Sequence, residues 1–130
     1  MQHIIDTHTF LWFSRGSAQL PAYVQDLIID PANVTQISIA SFWEMGIKAS
    51  TKKLPLTMTL LGLEAFAKSQ FIEIVPITVQ ATSLIQEMPF HHKDPFDRII
   101  AATALTIGAV LLSADAIFDA YGVPRIWQES

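Results

Sequence analysis

Two aspartates, Asp94 and Asp97, stand three residues apart in HHKDPFDRIIAATAL, residues 91–105, at the entrance to an apolar segment. On a helix that spacing puts both carboxylates on one face. Like charges so placed repel unless a helix N-terminus, a basic neighbour or a bound cation compensates. Further acids follow short apolar runs elsewhere: Asp6 after HII, Glu44 within SFWE, and Asp115 after LLS. Several carboxylates within a few ångströms cannot all ionise cheaply without a partner. A hard divalent cation such as Mg²⁺ or Mn²⁺ accepts all-oxygen ligation and leaves positions for water and a substrate phosphate. That chemistry lowers the pKa of bound water and steadies charge on a phosphodiester during in-line attack.

Each acid also admits a purely local role. Asp94 followed by Pro95 is a helix start, with Asp as cap, Pro at the first helical position and Asp97 near the positive end of the dipole. SFWE reads as a capping box, with Ser41 as cap and Glu44 three residues on. Lys48 lies four residues after Glu44, the spacing of an exposed helical ion pair. Asp6 and Asp115 would each cap the helix after its strand. Capping explains each carboxylate singly; it does not explain an acid at every confidently placed strand-to-helix junction.

The elements that would position these acids follow from periodicity. Strands are predicted at His3–Ile5, Thr35–Ala40, Phe71–Val75, Val110–Leu112 and Pro124–Trp127. Helices are predicted at Thr7–Ser14, Ala22–Ile29, Ser41–Ser50, Thr59–Ser69, Val79–Met88 and Pro95–Ile107, with a helical turn at Ala116–Tyr121. On the last long helix Phe96, Ile99, Ile100, Thr103, Ala104 and Ile107 form the expected buried stripe. Short strands alternating with helices imply an α/β fold, a three-layer α/β/α sandwich around a short parallel sheet of four to five strands. In such sheets, sites form outside the carboxyl ends of the strands, where Asp6 and Asp115 would stand.

Composition bounds the rest. The chain has 130 residues, 51% hydrophobic and 15% charged, which fits one folded domain over 1–130. The low charge also hints at a further covered face, in a homodimer or against a partner. Cysteine is absent, so disulfides, zinc thiolates and thiol catalysis are excluded. The start, MQHIIDTH, does not look like a secretory signal, and Ile99–Ala114 is too short and interrupted to span a bilayer, so a cytoplasmic protein with no membrane association is expected. A net charge of −4 is unusual for a nucleic-acid binder. Setting aside Asp6, Glu44, Asp94, Asp97 and Asp115 leaves a slightly positive remainder, with Lys48, Lys52, Lys53, Lys93 and Arg98 near the motifs.

Four segments in order, IIDTHTFLW, ISIASFWEMGIK, HHKDPFDRIIAATAL and LLSADAIFDAYGV, resemble the PIN domain family over nearly the whole chain. Within it they are similar to the VapC-type toxins of type II toxin–antitoxin pairs that carry DPFDR. The resemblance implies a Mg²⁺- or Mn²⁺-dependent endoribonuclease acting on RNA, a cognate antitoxin partner and a homodimer. It assigns Asp6, Glu44, Asp97 and Asp115 as the catalytic and metal-binding acids. Asp97 rather than Asp94 matches the family's pattern, because Ile100, Ala101 and Ala102 follow it at the family's offsets. Asp94 is a secondary candidate, as a second-metal residue, a supporting residue or a cap. Ser113 stands where the family often has threonine, and Ser113 and Thr7 are secondary candidates as hydroxyl donors. Asp6, Asp97 and Asp115 would hold the ion, while Glu44 would orient or deprotonate the attacking water, or bind a second ion.

Other residues carry blander expectations. Arg98 and Lys48 are read as solvated ion pairs, with RNA backbone contacts as the alternative. His91 and His92 are read as an exposed loop, since adjacent histidines face apart and seldom share a metal. His3 and His8 are read as packing or surface residues, and Asp119 as an exposed helix residue. Two rival functions remain: a catalytically silent PIN-fold binding module, and a receiver-like Mg²⁺-dependent signalling domain. The latter wants an acidic pair after the first strand and a late lysine, and no lysine follows Lys93.

Overall fold

The computed structural model describes residues 1–128. β1 (Gln2–Ile5), β2 (Val34–Ser38), β3 (Glu73–Val75), β4 (Val110–Leu112) and β5 (Arg125–Ile126) form one sheet in the order β3-β2-β1-β4-β5. Every neighbouring pair is parallel, with Ile5 opposite both Ile37 and Leu112. The helices are α1 (Thr7–Arg15), α2 (Ala22–Ile29), α3 (Ile39–Ser50), α4 (Leu60–Ser69), α5 (Val79–Glu87) and α6 (Pro95–Ile107), with a 3-10 helix at Ala116–Tyr121.

Strand alternation divides the apolar residues between two cores. Ile4 and Leu111 face one layer, where Ile99, Ile100, Ala101 and Ala104 of α6, Ala81 of α5 and Phe118 pack. Ile5, Ile37 and Leu112 face the other, against Phe10 of α1, Val24 of α2, Met45 of α3 and Leu63 of α4. Helices thus cover both faces, as a parallel sheet requires.

The chain moves from β1 to β2 on one side of β1 and returns to β4 on the other. The crevice between the carboxyl ends of β1 and β4 is therefore the topological switch point.

Most expected ends shift by a residue or two, and two shifts matter for the site and the sheet. The strand expected to reach Ala40 stops at Ser38, which becomes the cap of α3 by accepting from the Ala40 N–H at 3.0 Å. Ser41 is thus not a cap but a buried residue inside the helix, and Glu44 lies beyond its first turn. The ISIA run carries no signal separating strand from helix start, because β-branched residues suit the strand and Ser38 can cap a helix equally well within it. Phe71 lies outside β3, in a left-handed conformation (φ 58°) and 92% exposed. The stripe on α6 is broader than its periodicity suggests. Ala101, Ala102 and Arg98 are buried as well, while Phe96 and Ile107 are only half-buried. The helix ends at Gly108, whose φ of 69° favours a residue without Cβ.

Candidate functional site

Asp6 is the first residue beyond β1, where the chain turns into α1. Its extended backbone and its side chain cap that helix, with Oδ1 accepting from the Thr9 N–H at 3.0 Å and lying 2.6 Å from the Thr9 hydroxyl. Oδ2 accepts from the Ser113 hydroxyl at 2.5 Å. Ser113 follows β4, and the Ile5–Leu112 register places it beside Asp6. The Ser113 hydroxyl also accepts from the Asp115 N–H at 3.0 Å, and Asp115 in turn caps the 3-10 helix through the Ile117 N–H. Capping and clustering are therefore compatible for Asp6 and Asp115: Oδ1 serves the helix, while Oδ2 of Asp6 meets Ser113 and Oδ2 of Asp115 meets His92.

Glu44 projects from the second turn of α3 and is only 2% exposed. Its Oε1 accepts from the Thr7 hydroxyl at 2.5 Å and its Oε2 from the Lys48 ammonium. Lys48 also lies 3.5 Å from Oδ2 of Asp94. The Glu44–Lys48 pair is thus not the solvated pair expected from spacing, because its anion is buried. Partial burial works against the charge on Lys48, but the bonds to Glu44 and Asp94 outweigh it and raise its pKa above the ordinary lysine value. Asp94 caps α6 through the Phe96 N–H at 2.9 Å, as its sequence suggests.

Asp97, in the first turn of α6, stands between these groups. Its carboxyl is pushed up to about 7, first by desolvation and then by the negative charges of Asp94 and Glu44, with Asp6 adding to the rise and His92 opposing it. Asp6 is also raised, by burial, against the lowering effect of its bonds to Ser113 and Thr9. A carboxyl raised by burial together with specific charged neighbours marks a candidate functional cluster.

His92 is the residue that sequence reading missed. Rather than lying in an exposed loop, its ring is half-buried against Phe118, with Nε2 2.9 Å from Oδ2 of Asp115 and 3.1 Å from Oδ2 of Asp97. Its backbone N–H donates to the Tyr121 hydroxyl at 2.8 Å, and its Nδ1 accepts from the Asp94 N–H at 3.2 Å. A neutral imidazole that accepts at Nδ1 carries its proton on Nε2. His92 therefore donates between the two carboxylates. The two histidines do face apart, since His91 packs on Tyr121. The signal was present in another form, as an imidazole two residues before a helix-capping aspartate.

Arg98 likewise departs from expectation. One position beyond Asp97 the helix turns by about 100°, and the guanidinium enters the protein. It is 9% exposed, donates to the carbonyls of Ile85 (3.2 Å) and Met88 (3.0 Å) at the end of α5, and lies 4.3 Å over the Phe90 ring. It faces the protein interior rather than solvent. Asp119 is exposed, as expected, and is held below the usual carboxylate range by its bonds to Arg125. His3 is buried, and His8 is exposed beside Trp12.

One ligand atom each from His92, Asp97 and Asp115 lies within 4.8 Å of the others. With the His92 proton on Nε2, the donors of this set are carboxylate oxygens, and Asp6 flanks them through Ser113. Carboxylate oxygen donors suit a hard divalent cation. Beside them an open notch of about 290 Å³, lined by Asp6, His8, Trp12, Ala114 and Asp115, leads to solvent. Asp6, Asp97, Asp115 and Glu44 come from four separate segments to one end of the sheet.

A parallel sheet covered on both faces, with acids gathered at its switch point, defines a class of α/β protein built to act at the carboxyl ends of its strands. The PIN domain family model matches residues 3–124, and the chain belongs to that family. Its fold is shared with VapBC2 from Rickettsia felis, solved bound to a DNA fragment from its promoter (TM-score 0.72, 15% identity, 98% of this chain and 100% of that one). It is similar to VapBC-1 from nontypeable Haemophilus influenzae (TM-score 0.67, 16% identity, 99% and 100%). It is also similar to Mycobacterium tuberculosis VapC20, a sarcin–ricin loop cleaving toxin (TM-score 0.64, 17% identity, 97% and 99%). No curated protein sequence matches significantly. Among the described residues, no helix is long and apolar enough to cross a membrane.

Proposed function

We propose that this chain is a Mg²⁺- or Mn²⁺-dependent endoribonuclease, the toxin of a type II toxin–antitoxin pair acting in the cytoplasm. The observation that carries the reading is Asp97: a carboxyl raised to about 7 by burial and then by neighbouring acids, and bridged through His92 to Asp115. A site that holds carboxylates against their own repulsion is organised for a cation that arrives from outside. The structural likeness to VapBC complexes supports the toxin assignment and an antitoxin partner. The exposed stripe Ile39, Trp43 and Ile47 on α3 suits a covered face, in a homodimer or against the antitoxin.

Asp6, Asp97 and Asp115 would hold the ion. When bound, it lowers the pKa of a ligated water and steadies charge on the phosphodiester. Asp97 and Asp115 are kept in place by the Nε2 proton of His92, and Asp6 by Ser113 and Thr9. Such supporting hydrogen bonds fix the direction of ligand oxygens. Glu44, anchored by Thr7 and Lys48, contributes negative charge that keeps Asp97 responsive to a cation. The open notch beside Asp6 and Asp115 gives an RNA phosphate access.

The test is cut-site mapping in total RNA after induced expression, alongside purified protein with and without EDTA. Discrete cuts that disappear with EDTA and in Asp6→Asn support the reading. Cleavage unchanged in Asp6→Asn removes the site assignment, and a clean wild type that binds RNA without cutting it makes the chain a binding module. A short upstream open reading frame overlapping this one would support the toxin role.

A further inference from the structure

We infer that Lys48 is a built-in counter-cation: its ammonium occupies the position between Glu44 and Asp94 where a second divalent ion would otherwise sit, so the site takes one metal ion per chain. The inference rests on the metal-dependent reading above and decides between the roles that reading leaves to Glu44.

The acids around Asp97 fall into two groups. On one side are Asp6 and Asp115, held by the hydroxyls of Ser113 and Thr9 and by the imidazole of His92. Hydroxyls orient carboxylates but do not cancel their charge, and among the described residues no lysine or arginine forms an ion pair with Asp6 or Asp115. On the other side are Glu44 and Asp94, and both face the Lys48 ammonium, Glu44 in direct contact and Asp94 at 3.5 Å. Glu44 is 2% exposed and has no free oxygen: Thr7 takes Oε1 and Lys48 takes Oε2. A carboxylate buried to that degree needs a charged partner close by. The chain supplies it from the same helix, one turn on, at the i,i+4 spacing that brings Lys48 over Glu44.

An ion bridging Glu44 and Asp94 would need the volume and the oxygens that Lys48 already uses. Lys48 thus fixes the stoichiometry and keeps Glu44 from turning towards the remaining ion. It is a positioning residue, touching neither substrate nor metal. An RNA backbone contact fits less well, since two of its N–H bonds are directed at Glu44 and Asp94.

The experiment is Mn²⁺ titration of the full chain by calorimetry, with electron paramagnetic resonance of the loaded protein. Wild type and Lys48→Arg are expected to bind one Mn²⁺ with an isolated-ion spectrum. Lys48→Met is expected to bind two, with spin coupling between them, and Glu44→Gln/Lys48→Met to return to one. Where Lys48→Met does not fold alone, recovery of its circular dichroism on adding Mn²⁺, absent in the double variant, gives the same support. Two ions in the wild type, or one in folded Lys48→Met, would overturn the inference and leave the nuclease reading standing. No Mn²⁺ bound by the wild type would sink both.

Discussion

β1 and β2 carry buried polar groups at both ends, and the two ends are opposites. At the carboxyl end, Asp6, Thr7, Ser38, Ser41, Glu44 and Ser113 are buried, and among the described residues none of their buried side-chain atoms lacks a hydrogen-bond partner. Geometry is satisfied there while charge is not: Asp6 and Asp97 are both held above the ordinary aspartate value. At the amino end, His3 and Thr35 face each other in register, and His3 Nδ1 and Thr35 Oγ1 have no partner. No acid cluster lies there, while geometry is unsatisfied. The carboxyl end holds carboxylates together against their repulsion; the amino end leaves two buried polar atoms unpaired.

The largest effect should come from Asp97→Asn. It keeps the shape of the side chain and removes the charge that both acid groups converge on. RNA cleavage is expected to fall by at least about 10²-fold, the scale at which removing one group that stabilises a transition state is felt. A time course on a substrate identified by cut-site mapping measures it. Activity within a few-fold of wild type would mean that the acids at this end are helix caps and nothing more.

His92→Ala should come next. The imidazole supports ligands without replacing them, and losses from such supporting residues run to about 10–100-fold in activity or metal affinity. The variant should therefore bind Mn²⁺ more weakly but with unchanged stoichiometry, as read by calorimetry. A metal-binding curve superimposable on wild type would show that the hydrogen bonds to Asp97 and Asp115 are incidental.

How much of this was legible in the sequence differs along the chain. The bounds of α2, α6 and β4 agree with periodicity and end signals, because Pro95, Gly108 and Asp94 each have one strong local preference. The convergence of the acids was also suggested by their repeated place after apolar runs. Arg98 and His92 were not legible, for one reason. Their partners, the carbonyls of Ile85 and Met88 and the carboxylates of Asp97 and Asp115, are set by tertiary packing, and a charged or polar side chain read alone defaults to solvent. Ser38 was missed because the β-branched run before Ala40 serves strand and helix start equally well.

The charge left unsatisfied at the carboxyl end should also show in stability without metal. Asp97 has a folded pKa of about 7, above the unfolded value of about 3.9. Between these values the folded state binds more protons, so this group's contribution to stability falls as pH rises. The penalty is absent below the unfolded value, grows through the window and is complete above about pH 7. In metal-free protein, the melting temperature of Asp97→Asn should exceed that of wild type at pH 8, with the gap closing towards pH 4. Saturating Mn²⁺ should stabilise wild type more than the variant, since binding to the folded state alone raises stability. A gap independent of pH would place its origin in packing rather than charge.

The smallest effect belongs to the amino end. Thr35 is 4% exposed in a strand, and its hydroxyl has no partner. An unsatisfied buried polar group costs about 1–3 kcal/mol, while valine has nearly the same shape and suits a strand. Thr35→Val should therefore stabilise the fold by about 1 kcal/mol in urea unfolding and leave cleavage and Mn²⁺ binding unchanged. It lies at the opposite end of β2 from α3, so the effect should add to that of Asp97→Asn, as distant sites do. A loss of stability instead would mean that a buried water joins Thr35 Oγ1 to His3 Nδ1. The two ends would then differ only in charge, and the amino end would be as well satisfied as the carboxyl end.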